Sequence, residues 1–142
     1  MGGHAFEACG GLTRVMIPDS VTSIGSSAFF GCTNLTNVTI PDSVTSIGPS
    51  VFYGCKGLTN MSISNNVTSI GIGAFFGCIG LMSIIIPNRV TSIGEDAFYD
   101  CSKLESVNFS GKDKATVQGM SDYHWGLPSG CIIHCTDGDI IL

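Results

Sequence analysis

The hydrophobic positions of the chain recur at an interval of 23 residues. Leucines follow this interval from Leu12 to Leu104, and cysteines follow it from Cys9 to Cys101. Other residue types fill further columns: Phe6, Phe29, Phe52, Phe75 and Phe98; Val21, Val44, Val67 and Val90; Ile24, Ile47, Ile70 and Ile93; Gly25, Gly48, Gly71 and Gly94. So many columns in one register indicate a repeat protein whose 23-residue units share one structure.

Each unit predicts two short strands and one compact turn. Residues 35–40 end in an apolar and polar alternation, and Pro41, which has no N–H to donate to a strand ladder, follows them. Residues 44–47 form a second extended segment rich in β-branched side chains, which Gly48 ends. Ala28, Phe29 and Cys32 lie at positions i, i+1 and i+4, which places them on one side of a single helical turn.

Stacking of the units predicts the fold class. A unit of this length encloses too little volume to bury its own apolar side chains. If equivalent strands pair in parallel at about 4.8 Å, the apolar columns become continuous internal ladders. We therefore expect a right-handed solenoid, α/β or mainly β, of about five coils over residues 1–109. A partial first coil occupies residues 1–11, repeats begin at positions 12, 35, 58 and 81, and a last strand begins at 104.

The repeat stops after Phe109, and residues 110–142 have the pattern of a C-terminal cap. Residues 110–113 have the spacing of a helix capping box, and residues 112–118 predict a short helix that Gly119 closes. Residues 131–135 predict a strand, and Asp137 and Gly138 predict the hairpin turn into residues 139–142.

The repeat unit resembles that of a known family. Its pattern, L-x-x-V-x-I-P-x-x-V-T-S-I-G-x-x-A-F-x-x-C over residues 35–55 with Val51 in the alanine column, is similar to the BspA-like leucine-rich repeat. The resemblance implies a short curved leucine-rich repeat solenoid, closed by a tail like residues 110–142. It also implies a cell-surface or secreted protein of mucosal bacteria or parasitic protists that acts in adhesion or protein binding. It carries over no catalytic residues.

Composition narrows the function classes. Hydrophobic residues make up 44% of the chain, which excludes disorder, and charged residues make up 12%, against roughly 25% in an average domain. Six Lys and Arg with a net charge of −5 leave no basic stripe for nucleic acid. No apolar run approaches the roughly 20 residues of a membrane span, and residues 1–11 lack the basic start and apolar segment of a signal peptide.

The N-terminal end of the solenoid predicts an exposed edge. Residues 1–11 align with the last part of a coil, so the core ladders and the strand edge at residues 13–17 have no preceding coil to cover them. Either earlier coils precede this segment in a longer protein, or a second copy of the chain covers the edge. Both alternatives predict self-association of the isolated chain.

Cysteine and histidine residues predict no metal site, cofactor or catalytic centre. Equivalent cysteines in adjacent coils have parallel Cα–Cβ bonds, which keeps their Cβ atoms too far apart for a disulfide, so we expect free, packed thiols. On a strand, Cys131 and Cys135 share one face and His134 takes the other, so the three cannot close on one ion. His134 beside Cys135 has no evident orienting residue or oxyanion donors, and we expect no enzyme activity.

The strand face that points away from the core is the candidate binding surface. Its residues vary from coil to coil within a constant frame; they are Arg14, Met16, Asn37, Thr39, Asn60, Ser62, Ser83, Ile85, Ser106 and Asn108. The sequence favours a non-enzymatic protein-interaction or adhesion module that presents this face to a protein ligand. The alternative is a structural subunit that forms dimers or longer assemblies through its N-terminal edge.

Overall fold

The computed structural model describes residues 1–142, apart from the side chain of Asn60. Strands of two to four residues alternate between two sides of a solenoid. They are β1 (Arg14–Met16), β2 (Ser23–Ile24), β3 (Asn37–Thr39), β4 (Ser46–Ile47), β5 (Asn60–Ser62), β6 (Ser69–Ile70), β7 (Ser83–Ile86), β8 (Ser92–Ile93) and β9 (Ser106–Phe109). A single-turn helix, α1 (Lys114–Gln118), and a hairpin of β10 (Ile132–Cys135) and β11 (Gly138–Ile141) complete the chain.

Equivalent strands pair in parallel with a register of 23 residues. Val15 faces Val38, and Ile24 faces Ile47 on the second side. The second strands form one four-stranded sheet in the order β2, β4, β6, β8. The predicted solenoid of 23-residue coils with parallel strand ladders is therefore confirmed.

The first strand of each coil belongs to one of two sheets, so these strands do not form one uninterrupted ladder. One contains β1, β3 and β5, and the other contains β7, β9, β10 and β11. The break between β5 and β7 coincides with two departures from the repeat. Met61 is longer than Val38 in the same inward column and only partly buried, and Ser64 replaces the proline found at position 41.

The third side of each coil differs from the predicted helical turn. Ser27 has φ 57° and Gly31 has φ 70°, values outside the right-handed helix. The amides of Ala28 and Phe30 bond within the coil, whereas that of Phe29 donates 2.9 Å to Val51 O in the next coil. This side is a run of β-turns, because hydrogen bonds to the next coil replace those that would continue a helix.

Phenylalanine and cysteine columns line the core behind these turns. The rings of Phe29, Phe52 and Phe75 stack with centroids 5.4 to 5.5 Å apart. Cys55 Sγ donates a 3.2 Å hydrogen bond to Phe29 O of the preceding coil, and Cys78 Sγ does the same to Phe52 O at 3.1 Å. The thiols thus act both as small apolar groups and as donors that join adjacent coils.

A second aromatic column runs along the half-buried surface of the same side. Phe30, Tyr53, Phe76 and Tyr99 stack with centroids 4.5 to 5.1 Å apart. Stacking hides part of each ring between coils and adds to the contact between adjacent turns, while Tyr99 at the C-terminal end of the column stays 52% exposed.

Close approach between coils explains the glycine column. A Cβ on Gly71 would lie 2.5 Å from the Gly48 backbone carbon and 2.5 Å from Pro49 N. Backbone atoms cannot yield as a flexible side chain can, so only glycine permits this corner spacing.

The cap forms with two shifts from the predicted positions. The helix begins at Lys114, and its N-cap is Asp113 rather than Ser110, because the Asp113 side chain accepts a 2.8 Å hydrogen bond from Thr116 N. The hairpin pairs Cys135 with Gly138, so its two-residue turn lies at residues 136–137, one position before the predicted turn. The division between solenoid and cap at residues 109 and 110 stays a prediction.

Lys112 joins the cap to the solenoid. Its side chain is only 8% exposed, and Nζ donates a 2.6 Å hydrogen bond to Asn88 O in the preceding coil. Its own carbonyl accepts from Thr136 N at 2.9 Å. The buried lysine side chain therefore bonds the solenoid through its ammonium group, while the backbone carbonyl of the same residue bonds the hairpin.

The buried thiols predict a loss of stability at alkaline pH. Burial raises the pKa of the Cys55 and Cys101 thiols to about 12 and that of Cys78 well above its usual value. Unfolded thiols ionise near pH 8.5. Above that pH the unfolded state releases protons that the native state retains, so the free energy of unfolding falls as pH rises toward about 12. Urea unfolding at pH 8, 9 and 10 under reducing conditions measures this fall.

Cys78→Ala is the control that isolates the contribution of the thiol column. This variant should show a shallower loss of stability with pH than the wild-type chain. Identical slopes for the two proteins would contradict the assignment to the thiol column.

Candidate binding face

Alternation along the first strands positions the candidate face. Val38 and Ile84 point inward and are buried, whereas their neighbours Thr39 and Ile85 point outward and are exposed. The remaining predicted residues follow the same alternation. Arg14, Met16, Ser62 and Ser83 are exposed, and Asn37, Ser106 and Asn108 are half-buried. The side chain of Asn60 lies outside the described part of the chain.

Parallel pairing arranges the outward residues in two rows. Arg14 pairs with Asn37 in the first row, and Met16 pairs with Thr39 in the second. Beyond the sheet break, Ile85 pairs with Asn108 and continues the second row. Neighbours on paired strands of a row are about 4.8 Å apart, the spacing of adjacent strands.

A groove of about 960 Å³ lies over this face. Of the predicted residues it brings together six, namely Arg14, Met16, Asn37, Thr39, Ser62 and Ile85. Ser83 joins Ser62 and Ile85 in a smaller cavity of about 310 Å³, and Asn108 joins Ile85 in a third of about 510 Å³. Ser106 lies outside these three cavities.

Exposed apolar side chains give the groove its chemistry. Met16 is 88% exposed and Ile85 is 62% exposed, and Met61 of the inward column also reaches the groove. Hydroxyl and amide groups fill the positions between them. Apolar side chains grouped over one groove with a polar rim are typical of protein-binding surfaces, where burial of apolar anchors supplies much of the affinity.

Charges lie at the margins of the groove. Arg14 is at the start of its strand, and Asp19 and Asp42 follow the ends of theirs. Ser64 Oγ donates a 2.9 Å hydrogen bond to Asp42 Oδ1, which fixes that carboxylate. The groove floor is therefore uncharged, which suits a polypeptide better than a polyanion.

Sequence reasoning missed several groove residues. Met61 belongs to the inward column, and only its incomplete burial brings it to the surface. Asp19 and Asp42 lie in corners after the strands, where the alternation rule makes no assignment. Their position directly after each strand was the available signal.

The cap histidine is outward, as its place on a strand predicts. Cys131 is buried and Cys135 half-buried, whereas His134 Nδ1 lies 2.7 Å from Asp139 Oδ1 on the outer side of the hairpin. Among the described residues, no group of three or more His, Cys, Asp or Glu side chains is placed to hold a metal ion.

The comparison with protein families decides the relationship. Residues 1–120 match the BspA type leucine-rich repeat region in six copies. The chain belongs to the BspA-type leucine-rich repeat family. The resemblance seen in the repeat unit is thereby confirmed.

Solved structures of related leucine-rich repeat proteins agree with this assignment. A leucine-rich repeat protein of T. pallidum is 37% identical over 76% of this chain, with a TM-score of 0.75. A leucine-rich repeat protein from Bacteroides ovatus is 34% identical over 76% of the chain, with a TM-score of 0.69. A leucine-rich cell surface protein from Faecalibacterium prausnitzii is 31% identical over 77%, with a TM-score of 0.70.

The matched region is only part of each of those proteins. It spans 50% of the T. pallidum chain, 34% of the B. ovatus chain and 35% of the F. prausnitzii chain. No protein of curated function matches the chain.

In the described part of the chain, no helix has the length and apolar character to cross a membrane.

Two adjacent substitutions test the alternation on which the face depends. Ile85→Asp places a carboxylate in solvent and should change the free energy of unfolding by no more than about 0.5 kcal/mol. Ile84→Asp buries an unpaired charge at a site that is 1% exposed, and should cost about 4 kcal/mol or more. Chemical denaturation followed by circular dichroism distinguishes them. Equal destabilisation by the two substitutions would contradict the outward orientation of Ile85.

Proposed function

We propose that the chain is a non-enzymatic protein-interaction module that binds its partner across the strand face. The observation that carries this proposal is the pair of exposed apolar side chains, Met16 and Ile85, presented over one groove by a backbone that hydrogen bonds hold from coil to coil. A rigid frame loses little conformational entropy on binding, so a modest apolar contact is sufficient for useful affinity.

Family membership supports a surface location for this activity. The related F. prausnitzii protein is a cell surface protein. We propose that the present chain likewise belongs to an adhesion or binding protein at the cell surface or outside the cell, and that its ligand is a protein.

A random 12-residue peptide library displayed on phage tests the binding role. Peptides selected on the wild-type chain should bind Ile85→Asp at least about tenfold more weakly, because an anchor contact is lost and a charge is placed in the groove. Ile72→Asp is the matched control, since Ile72 is 59% exposed on another side of the solenoid and should leave affinity unchanged.

Two outcomes would overturn the binding role. One is a selection that gives no peptide binders. The other is a set of peptides whose affinity is the same for the wild-type chain and for Ile85→Asp.

Self-association through the N-terminal edge is the second candidate. Phe6 is 40% exposed at the start of its stack, and β1 pairs with β3 on one side. Light scattering over a concentration series separates the two roles. A monomer that binds the selected peptides supports the interaction module, whereas ordered oligomers on which the selection yields no peptide binders support the structural subunit.

A further inference from the structure

The C-terminal hairpin extends the second row of the candidate face. Strand β10 pairs in parallel with β9, and His134 lies in register with Asn108. The row that begins at Met16 therefore continues past the last repeat and ends on a histidine of the cap.

The imidazole of His134 is held in one orientation. Asp139 stands directly opposite on β11, and its Oδ1 lies 2.7 Å from His134 Nδ1. A carboxylate only accepts hydrogen bonds, so Nδ1 donates its hydrogen to Asp139, and in the neutral form of the ring Nε2 is then an acceptor. The side chain is 40% exposed, and Nε2 has no hydrogen-bond partner among the described residues.

The space beside this ring has both polar and apolar lining residues. A cavity of about 510 Å³ is lined by Ile85 and Phe109 together with Asn108, Ser110, His134 and Thr136, and none of its lining side chains is an acid, a lysine or an arginine. Such a lining favours an apolar contact next to a hydrogen-bond donor over a bound anion.

We propose that His134 and Asn108 form a hydrogen-bonding subsite for an extended segment of the partner protein, whose apolar side chains contact Met16 and Ile85. This inference rests on the proposed function and specifies its ligand. Asp139 is a positioning residue, because it acts on the partner only through the orientation of His134.

The spacing of the row defines the segment. Met16 and Ile85 are three strands apart, about 14 Å, which equals about four residues of extended chain at roughly 3.4 Å each. His134 lies two strands beyond Ile85, about 10 Å away. In the bound segment, the residue two positions beyond the one that contacts Ile85 faces the same way and lies about 7 Å further along. A long side chain at that residue covers the remaining distance to His134. The expected peptide pattern is two apolar residues four positions apart, which contact Met16 and Ile85. A Gln, Lys or Arg lies two positions beyond the residue that contacts Ile85.

Selected peptides provide the test, with affinities measured by fluorescence anisotropy. The 12-residue peptides enriched on the wild-type chain should show this pattern, and His134→Ala should weaken their binding about tenfold, the loss of one good hydrogen bond to the ring. His4→Ala is the matched control, because His4 is likewise exposed and paired, with Nδ1 2.9 Å from Glu7 Oε2. It should leave affinity unchanged.

The outcomes separate this inference from the proposed function. Peptides that lose affinity on Ile85→Asp but bind His134→Ala as tightly as the wild type overturn the subsite and leave the binding face intact. Enriched peptides that lack the expected spacing also overturn it.

Substitution of Asp139 tests the positioning role. Asp139→Asn retains an oxygen that accepts the Nδ1 hydrogen and should keep affinity within about twofold, whereas Asp139→Leu should weaken binding as much as His134→Ala. Equal losses for both Asp139 variants would overturn the role of ring orientation.

Discussion

Hydrogen bonding between residues one coil apart is the interaction on which the rest of the structure depends. Thr45 N donates to Thr22 O at 3.0 Å and Gly48 N donates to Ile24 O at 3.0 Å, while Phe29 N donates forward to Val51 O at 2.9 Å. Each coil therefore bonds to the coil before it and to the coil after it. This pairing fixes the register of each strand, because insertion of a single residue within a strand would turn its later side chains to the opposite face.

The same constraint affects the two faces of the first strand in each coil differently. Inward positions must match the coils on either side, so Leu35, Val38 and Ile40 have equivalents in almost every repeat. Outward positions carry no such requirement, and residues as different as Met16, Thr39 and Ile85 occupy one row. A scaffold of this kind can change its binding chemistry by substitution without loss of the fold.

Much of the fold could be predicted because the same sequence pattern occurs about five times along the chain. The strand positions, the register of 23 residues and the inward columns followed from it. The helical turn at residues 28–32 was wrong, because an i, i+1, i+4 spacing does not distinguish a helix from successive β-turns whose amides bond to the next coil. The N-cap is Asp113 and not Ser110. Both residue types can cap a helix, so the sequence does not distinguish them, and the contacts of the folded C-terminal cap decide.

The candidate site was less predictable than the fold, since parts of it depend on contacts between distant segments. Strand alternation placed Met16 and Ile85 on the outer face, but it said nothing of Asp42 in a corner. It also could not place His134 beside Asn108, because that neighbourhood exists only once the hairpin pairs with the last repeat strand. Met61, which is longer than Val38 and only partly buried, also reaches the groove.

Nuclear Overhauser effects between backbone protons of equivalent residues measure coil stacking most directly. The account predicts strong cross-peaks between residues 23 positions apart, such as Thr45 with Thr22 and with Thr68, and none between Thr22 and Thr68, which lie two coils apart. Cross-peaks that link residues at other separations in place of these would contradict the stacked solenoid.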